Sequence, residues 1–130
     1  MLSFGIDTHK ATLAVSAVDP LGRQLAARTF SNDRRGHAAL LSWTRQQGQP
    51  RRIGIEGAGS FGAALAELLL ASGEDVVEVP AQFTDRARRS LRQRGKSDPG
   101  DALAIARLTA REPRLAAVRR PGPTADLKLL

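Results

Sequence analysis

A chain of 130 residues with a net charge of +7 has room for one domain, which buries roughly two-thirds of its unfolded surface. It holds no cysteine, which excludes disulfides, thiolate zinc sites and cysteine nucleophiles, and its two histidines, His9 and His37, cannot build a histidine-rich metal centre. No apolar run approaches the ~18 residues of a membrane span, and the first residues lack a signal peptide's basic start and apolar stretch, so a soluble intracellular protein with no membrane segment is expected.

The charge is unevenly placed. Residues 1–85 carry 8 Lys or Arg against 9 Asp or Glu, whereas residues 86–130 carry 12 against 4. A neutral body joined to a polycation points to a polyanionic partner, nucleic acid before an anionic membrane surface. Arginine outnumbers lysine 17 to 3, as GC-rich codons would give, but codon bias does not gather charge at one end.

In chain order, Leu2 to Asp7 alternates as a strand, with Leu2, Phe4 and Ile6 on one face. Ala11 to Val18 reads as a second strand and Gln24 to Phe30 as a third, joined by the turn Asp19-Pro20-Leu21-Gly22. Asn32 or Asp33 can cap a helix carrying Ala39, Leu40 and Trp43, and Arg52 to Glu56 is a short strand. Phe61, Leu65, Leu68 and Leu69 follow at helical spacing, with Gly73 closing that helix. Val76, Val77 and Val79 make one more strand, stopped by Pro80. Gln82 to Gln93 reads as a basic helix, and Ser97-Asp98-Pro99 starts another that Glu112-Pro113 ends. Three antiparallel strands followed by strand–helix alternation describe a mixed α/β sheet flanked by helices, its last strands parallel to the first. A ribonuclease H-like sheet has this order, as do several other α/β layouts.

Asp7 and Glu56 each end an apolar strand. Parallel neighbours would project both from the carboxyl edge of the sheet, where ligands bind in open α/β folds. Asp98 and Asp101, three apart at a helix start, face one side. Four converging carboxylates repel, and hard oxygen ligands suit Mg²⁺ or Mn²⁺. Two such ions serve phosphoryl transfer. Each acid also has a structural reading: a strand-end Asp serves turns, and Asp98-Pro99-Gly100-Asp101 is a good helix start with Asp98 as N-cap. His9 reads as a solvated side chain, and Ser60 as a helix N-cap because no base can be assigned to it. Gly57, Gly59 and Gly62 give room for close backbone approach beside Glu56. Lys10 and Lys96 flank the acids and can meet phosphate oxygens. Arg86, Arg88, Arg89, Arg92 and Arg94 are too crowded for an ordinary amphipathic surface and read as a phosphate-contacting segment, with Arg119 and Arg120 extending it.

Three fragments, GIDTHKATLAVSAVD, GIEGAGSFGAALAELLLASGEDVVEVPAQ and RGKSDPGDALAIARL, resemble the DEDD transposases of bacterial insertion sequences, the insertion sequence 110 family. The resemblance runs in order over residues 1–111. It implies a RuvC-like, ribonuclease H-like domain whose catalytic and metal-binding tetrad would be Asp7, Glu56, Asp98 and Asp101. It also implies a Mg²⁺-dependent (or Mn²⁺-dependent) DNA recombinase working with a structured guide RNA, at the nucleoid in a bacterial cytoplasm, and it admits a homo-oligomer. In that family a C-terminal domain, absent from this chain, carries the catalytic serine. Residues 112–130 would then be a basic Pro/Gly linker toward it. A RuvC-type junction nuclease and a non-catalytic nucleic-acid module are the alternatives. An actin-like or sugar-kinase ATPase wants a phosphate-holding glycine and threonine that Thr8-His9-Lys10 does not supply.

Overall fold

The structure, a computed structural model, describes residues 1–81 and 99–119. Strands β1 (Leu2–Thr8), β2 (Thr12–Val18) and β3 (Gln24–Ser31) form the expected antiparallel meander. In the Asp19–Gly22 turn the Gly22 amide donates to the Asp19 carbonyl at 2.9 Å. Helix α1 (Arg34–Gln47) leads to β4 (Arg51–Glu56), and α2 (Ala63–Ala71) leads to β5 (Val76–Glu78). One mixed sheet results, ordered β3-β2-β1-β4-β5, with β4 parallel to β1 and β5 parallel to β4.

Alternation along β1 sends its residues to two layers. Phe4 and Ile6 join Leu13, Val15, Ile53 and Ile55 beneath Leu40 and Trp43 of α1 and Leu65 and Leu69 of α2. The Trp43 ring meets Phe4 and Phe30 edge-on, at centroid distances of 6.0 and 5.7 Å, the arrangement aromatic quadrupoles favour. Helix α3 (Pro99–Arg111) covers the opposite face, where Ile105 and Leu108 pack with Val79. Gly5 permits this approach: a Cβ there would collide with backbone atoms of Ala102 and Ala106.

Two expectations are corrected and one choice is decided. The helix read from Phe61 begins at Ala63, and Phe61 stands in the preceding loop, 54% exposed. Gly57, at φ +86°, and the Ser60 and Gly62 amides bonded to its carbonyl hold that stretch in turns although the apolar spacing is helical. Of the two candidate caps for α1, Asp33 does the work, accepting from the Gly36 amide at 2.8 Å. Residues 116–118, expected as linker, lie along β5: the Glu78 amide donates to the Ala116 carbonyl and the Val118 amide to the Val76 carbonyl. They cover part of a sheet edge that would otherwise present unpaired backbone groups. The expected helix over Gln82 to Gln93 lies outside the described residues.

One ion-pair group ties the amino end of β4 to α1. Arg51 Nη2 and Arg45 Nε reach Glu74 Oε2 at 2.8 and 3.0 Å. The Glu74 side chain is 4% exposed and that of Arg51 10%. The Arg51 hydrogen bond, ahead of Arg45, holds the Glu74 carboxyl below its ordinary value. A depressed carboxyl contributes stability above its unfolded pKa and loses it as pH falls through the folded one. Glu74→Gln should therefore lower stability by about 2 kcal/mol at pH 7, because it takes the carboxylate charge away from the largely buried Arg51. Urea unfolding should show the gap between the two proteins narrowing below about pH 4; a constant gap would mean that the ion pair contributes nothing.

Candidate active site

Asp7 and Glu56 are paired residues of adjacent parallel strands. Their backbones stand about 4.8 Å apart, at the carboxyl edge of the sheet. Asp7 is two residues beyond Gly5, so it lies on the face that α3 covers. The third acid arrives on that helix. Arg52, near the amino end of β4, donates to the carbonyls of Thr109 and Glu112 at 3.0 and 2.9 Å, which pins the end of α3 there and satisfies its orphan carbonyls. From that point α3 runs back over Gly5 toward the carboxyl edge. Its first turn brings Asp101 there, buried to 8% exposure.

Asp7 is 2% exposed, and its Oδ2 lies 3.0 Å from His9 Nε2. His9, expected as a solvated side chain, is thus a partner of the buried acid. Its spacing of two from Asp7 in an extended segment is the sequence signal for a shared face. Thr8 Oγ1 donates to the Glu56 carbonyl at 2.8 Å and staples the two strand ends together. Gly57, at φ +86°, then turns the chain as only glycine does without strain. Its carbonyl accepts the amides of Ser60 and Gly62 at 3.0 and 2.8 Å. The Ser60 hydroxyl folds back onto the same carbonyl at 3.3 Å, while Gly62 occupies the N-cap of α2 with no side-chain bond. The capping role expected of Ser60 is therefore not the one it has.

A fourth acid at this end, Glu78, has no motif around it in the sequence. It closes β5 level with Ile55. Burial pushes its carboxyl above the ordinary value, the amides of Gly57 and Ala58 pull it back, and the charge of Glu56 adds to the rise. Glu78 also lines a groove of about 610 Å³ against α2, with Ala63, Ala66, Leu70 and Arg119. That groove is mostly apolar and is not lined by Asp7, Glu56 or Asp101.

Of the residues singled out in the sequence, Asp7, Glu56 and Asp101 come to one edge. Lys10 is exposed in the turn after β1, and exposed Arg119 lines the groove on the α2 side. Asp98, Arg86, Arg88, Arg89, Arg92, Arg94, Lys96 and Arg120 lie outside the described residues. Among the described residues, no three His, Asp or Glu side chains are close enough together to hold a metal ion.

A five-stranded mixed sheet of this order is shared with the ribonuclease H-like fold of RuvC. Thermus thermophilus RuvC in complex with a Holliday junction substrate superposes with a TM-score of 0.67 over 91% of this chain and 99% of that one, at 18% identity. A second Thermus thermophilus RuvC structure gives 0.65 over 91% and 100%, at 19% identity. Within that class the sequence is more particular. The profile of the insertion sequence 110 type of DEDD proteins, described as transposase, matches residues 4–130. The insertion element IS116 uncharacterized 44.8 kDa protein of Streptomyces clavuligerus is 31% identical over 102 residues, 78% of this chain. The chain belongs to this DEDD transposase family, and it spans about a quarter (25%) of that relative's length.

The position of Glu78 leads to a test. A carboxyl raised above 4.5 in the folded protein binds its proton more tightly there than in the unfolded chain, so it withdraws stability as pH rises through that window. Glu78→Gln should melt at or above the wild-type temperature at pH 7, and the advantage should vanish below about pH 4. A clear loss at pH 7 would show instead that the charge is needed to hold the Gly57 and Ala58 amides.

Proposed function

We propose that this chain is the RuvC-like catalytic domain of a DNA transposase, in which four acids hold Mg²⁺ or Mn²⁺ for DNA strand cleavage and exchange. The observation that carries this reading is the in-register pairing of Asp7 with Glu56 at the edge toward which α3 brings Asp101. The donor set fits the ion: carboxylate oxygens are hard, there is no thiolate, and the nearby imidazole is engaged on Asp7. Asp7, Glu56 and Asp101 would hold the metal, joined by Asp98, three residues earlier in the sequence. The bound ion supplies charge stabilisation to the attacking and leaving oxygens of phosphoryl transfer. His9 orients the Asp7 carboxylate through Oδ2, and Thr8 keeps the two strand ends together. Lys10, the arginines from Arg86 to Arg94, Lys96, Arg119 and Arg120 supply phosphate contacts to DNA. The family resemblance supports a structured guide RNA as a second partner, and a serine outside this chain as the group that joins to DNA.

A second reading, a junction-resolving nuclease cutting with water, is favoured by the likeness to a RuvC whose structure holds a Holliday junction. The two readings differ in what the chain does alone. A nuclease cuts junctions in Mn²⁺, whereas the transposase domain forms no strand exchange and no covalent DNA adduct by itself. Adducts surviving a denaturing gel would overturn the assignment of the attacking serine to another domain.

Titration calorimetry with Mn²⁺ tests the metal centre. Asp7→Asn, Glu56→Gln and Asp101→Asn should each weaken binding by roughly tenfold or more, and equal binding by all four proteins would remove the site. For DNA, changing Arg88, Arg89 and Arg92 to Ala should flatten the plot of log affinity against log salt by about 0.9 per lost duplex phosphate contact. An unchanged slope would take these arginines out of the interface.

A further inference from the structure

Asn32 stands between β3 and α1, one residue before the helix cap, and its side chain serves neither element alone. Nδ2 donates to the His9 carbonyl at 2.8 Å, in the loop that follows Asp7, and to the Phe61 carbonyl at 2.9 Å, in the loop that follows Glu56. Oδ1 accepts from His37 Nε2 of α1 at 2.7 Å. The two carbonyl acceptors fix which end of the amide is nitrogen, so the His37 nitrogen facing Oδ1 is the protonated one. Burial pushes the His37 pKa below its ordinary value, against a smaller opposing pull from Asp33, which keeps that ring neutral at pH 7. The backbone joins the same knot: the Asn32 amide donates to the Ala11 carbonyl and the His9 amide to the Thr12 carbonyl, both at 2.9 Å.

Both loops bear directly on the acids. His9 holds Asp7 Oδ2, and the Phe61 loop grows from Glu56 through Gly57, whose carbonyl holds the Gly62 amide. Strand pairing sets the backbones of Asp7 and Glu56, and the loops beyond them add to what restrains how the two side chains meet a ligand. A side chain bonded to both loops sets that restraint from outside the sheet. Outer partners of metal ligands generally act in this way.

We propose that Asn32 is a positioning residue for the acid pair: it ties the His9 loop to the Phe61 loop and thereby limits how far Asp7 and Glu56 can shift at the strand ends where a divalent ion would bind. This rests on the metal-binding reading above. The test combines Mn²⁺ titration calorimetry with backbone hydrogen exchange on the full 130-residue chain. Asn32→Asp keeps the size and the His37 contact but sets carboxylate oxygens against two carbonyls. Asn32→Ala removes the bonds without adding charge, and it serves where the first variant folds poorly. Both variants should bind Mn²⁺ roughly tenfold more weakly than wild type. Both should exchange faster at the His9 and Gly62 amides, while Ile6 and Ile55 keep their protection. His37→Gln, which retains a donor, should match wild type in both measurements. Wild-type affinity in the Asn32 variants, beside a loss in Asp7→Asn, overturns the proposal and leaves the metal centre standing. Should wild type and Asp7→Asn bind Mn²⁺ alike, the metal reading fails and exchange decides the tie: unchanged rates at His9 and Gly62 overturn it, faster rates uphold it.

Discussion

A parallel strand pair covered by helices on both faces has to be apolar, or empty, on both sides. β1 meets this with Phe4 and Ile6 toward α1 and α2, and with the bare backbone of Gly5 toward α3. β4 repeats the scheme in register, so that Ile6 lies beside Ile55 and Asp7 beside Glu56. A slip of one residue would turn every apolar side chain to the wrong layer. The register that buries the core is therefore the register that sets the two acids level. Core formation and acid placement are one constraint, which is why the site needs no separate scaffold.

The position of the third acid follows from a second contact of the same kind. α3 can rest on β1 only because Gly5 has no side chain, and Arg52 fixes its direction by holding its last carbonyls. Distance and direction together determine which edge the first turn of the helix reaches. A helix N-terminus favours negative charge, so Asp101 suits both the helix and the site. The two readings of the Asp98–Asp101 segment, helix start and metal ligand, are physically compatible.

Much of this was legible in the chain, because it depends on periodicity. Alternation in β1, β2 and β4 and the strand-end acids follow from local pattern, and the sheet order follows from helical crossovers. The failures have a shared cause. Phe61 has the spacing of a helix face, yet Gly57 and Gly62 bend its stretch into turns that periodicity does not weigh. Ser60 looks like a cap because capping is judged from residue type, whereas its hydroxyl is taken by the Gly57 carbonyl. Asn32, Glu74 and Glu78 act across 23 to 29 residues or across strands, and no local window contains both partners. The pairing of residues 116–118 with β5 is of the same type. An edge strand accepts any extended segment, so nothing in the segment itself announces it.

The division of charge along the chain now has a spatial meaning. An edge bearing Asp7, Glu56 and Asp101 repels a phosphate backbone, and a polyanion can settle there only if cations accompany it. β5 is parallel to β4 and so ends at the carboxyl edge, while α3 begins there. The basic stretch from Arg86 to Lys96 is the connection between these two elements. The described elements on either side of it, the end of β5 and the start of α3, therefore lie at the edge where the acids are. Under the proposed function the two kinds of charge are complementary: the acids would need a metal ion between themselves and phosphate, and arginines would need none.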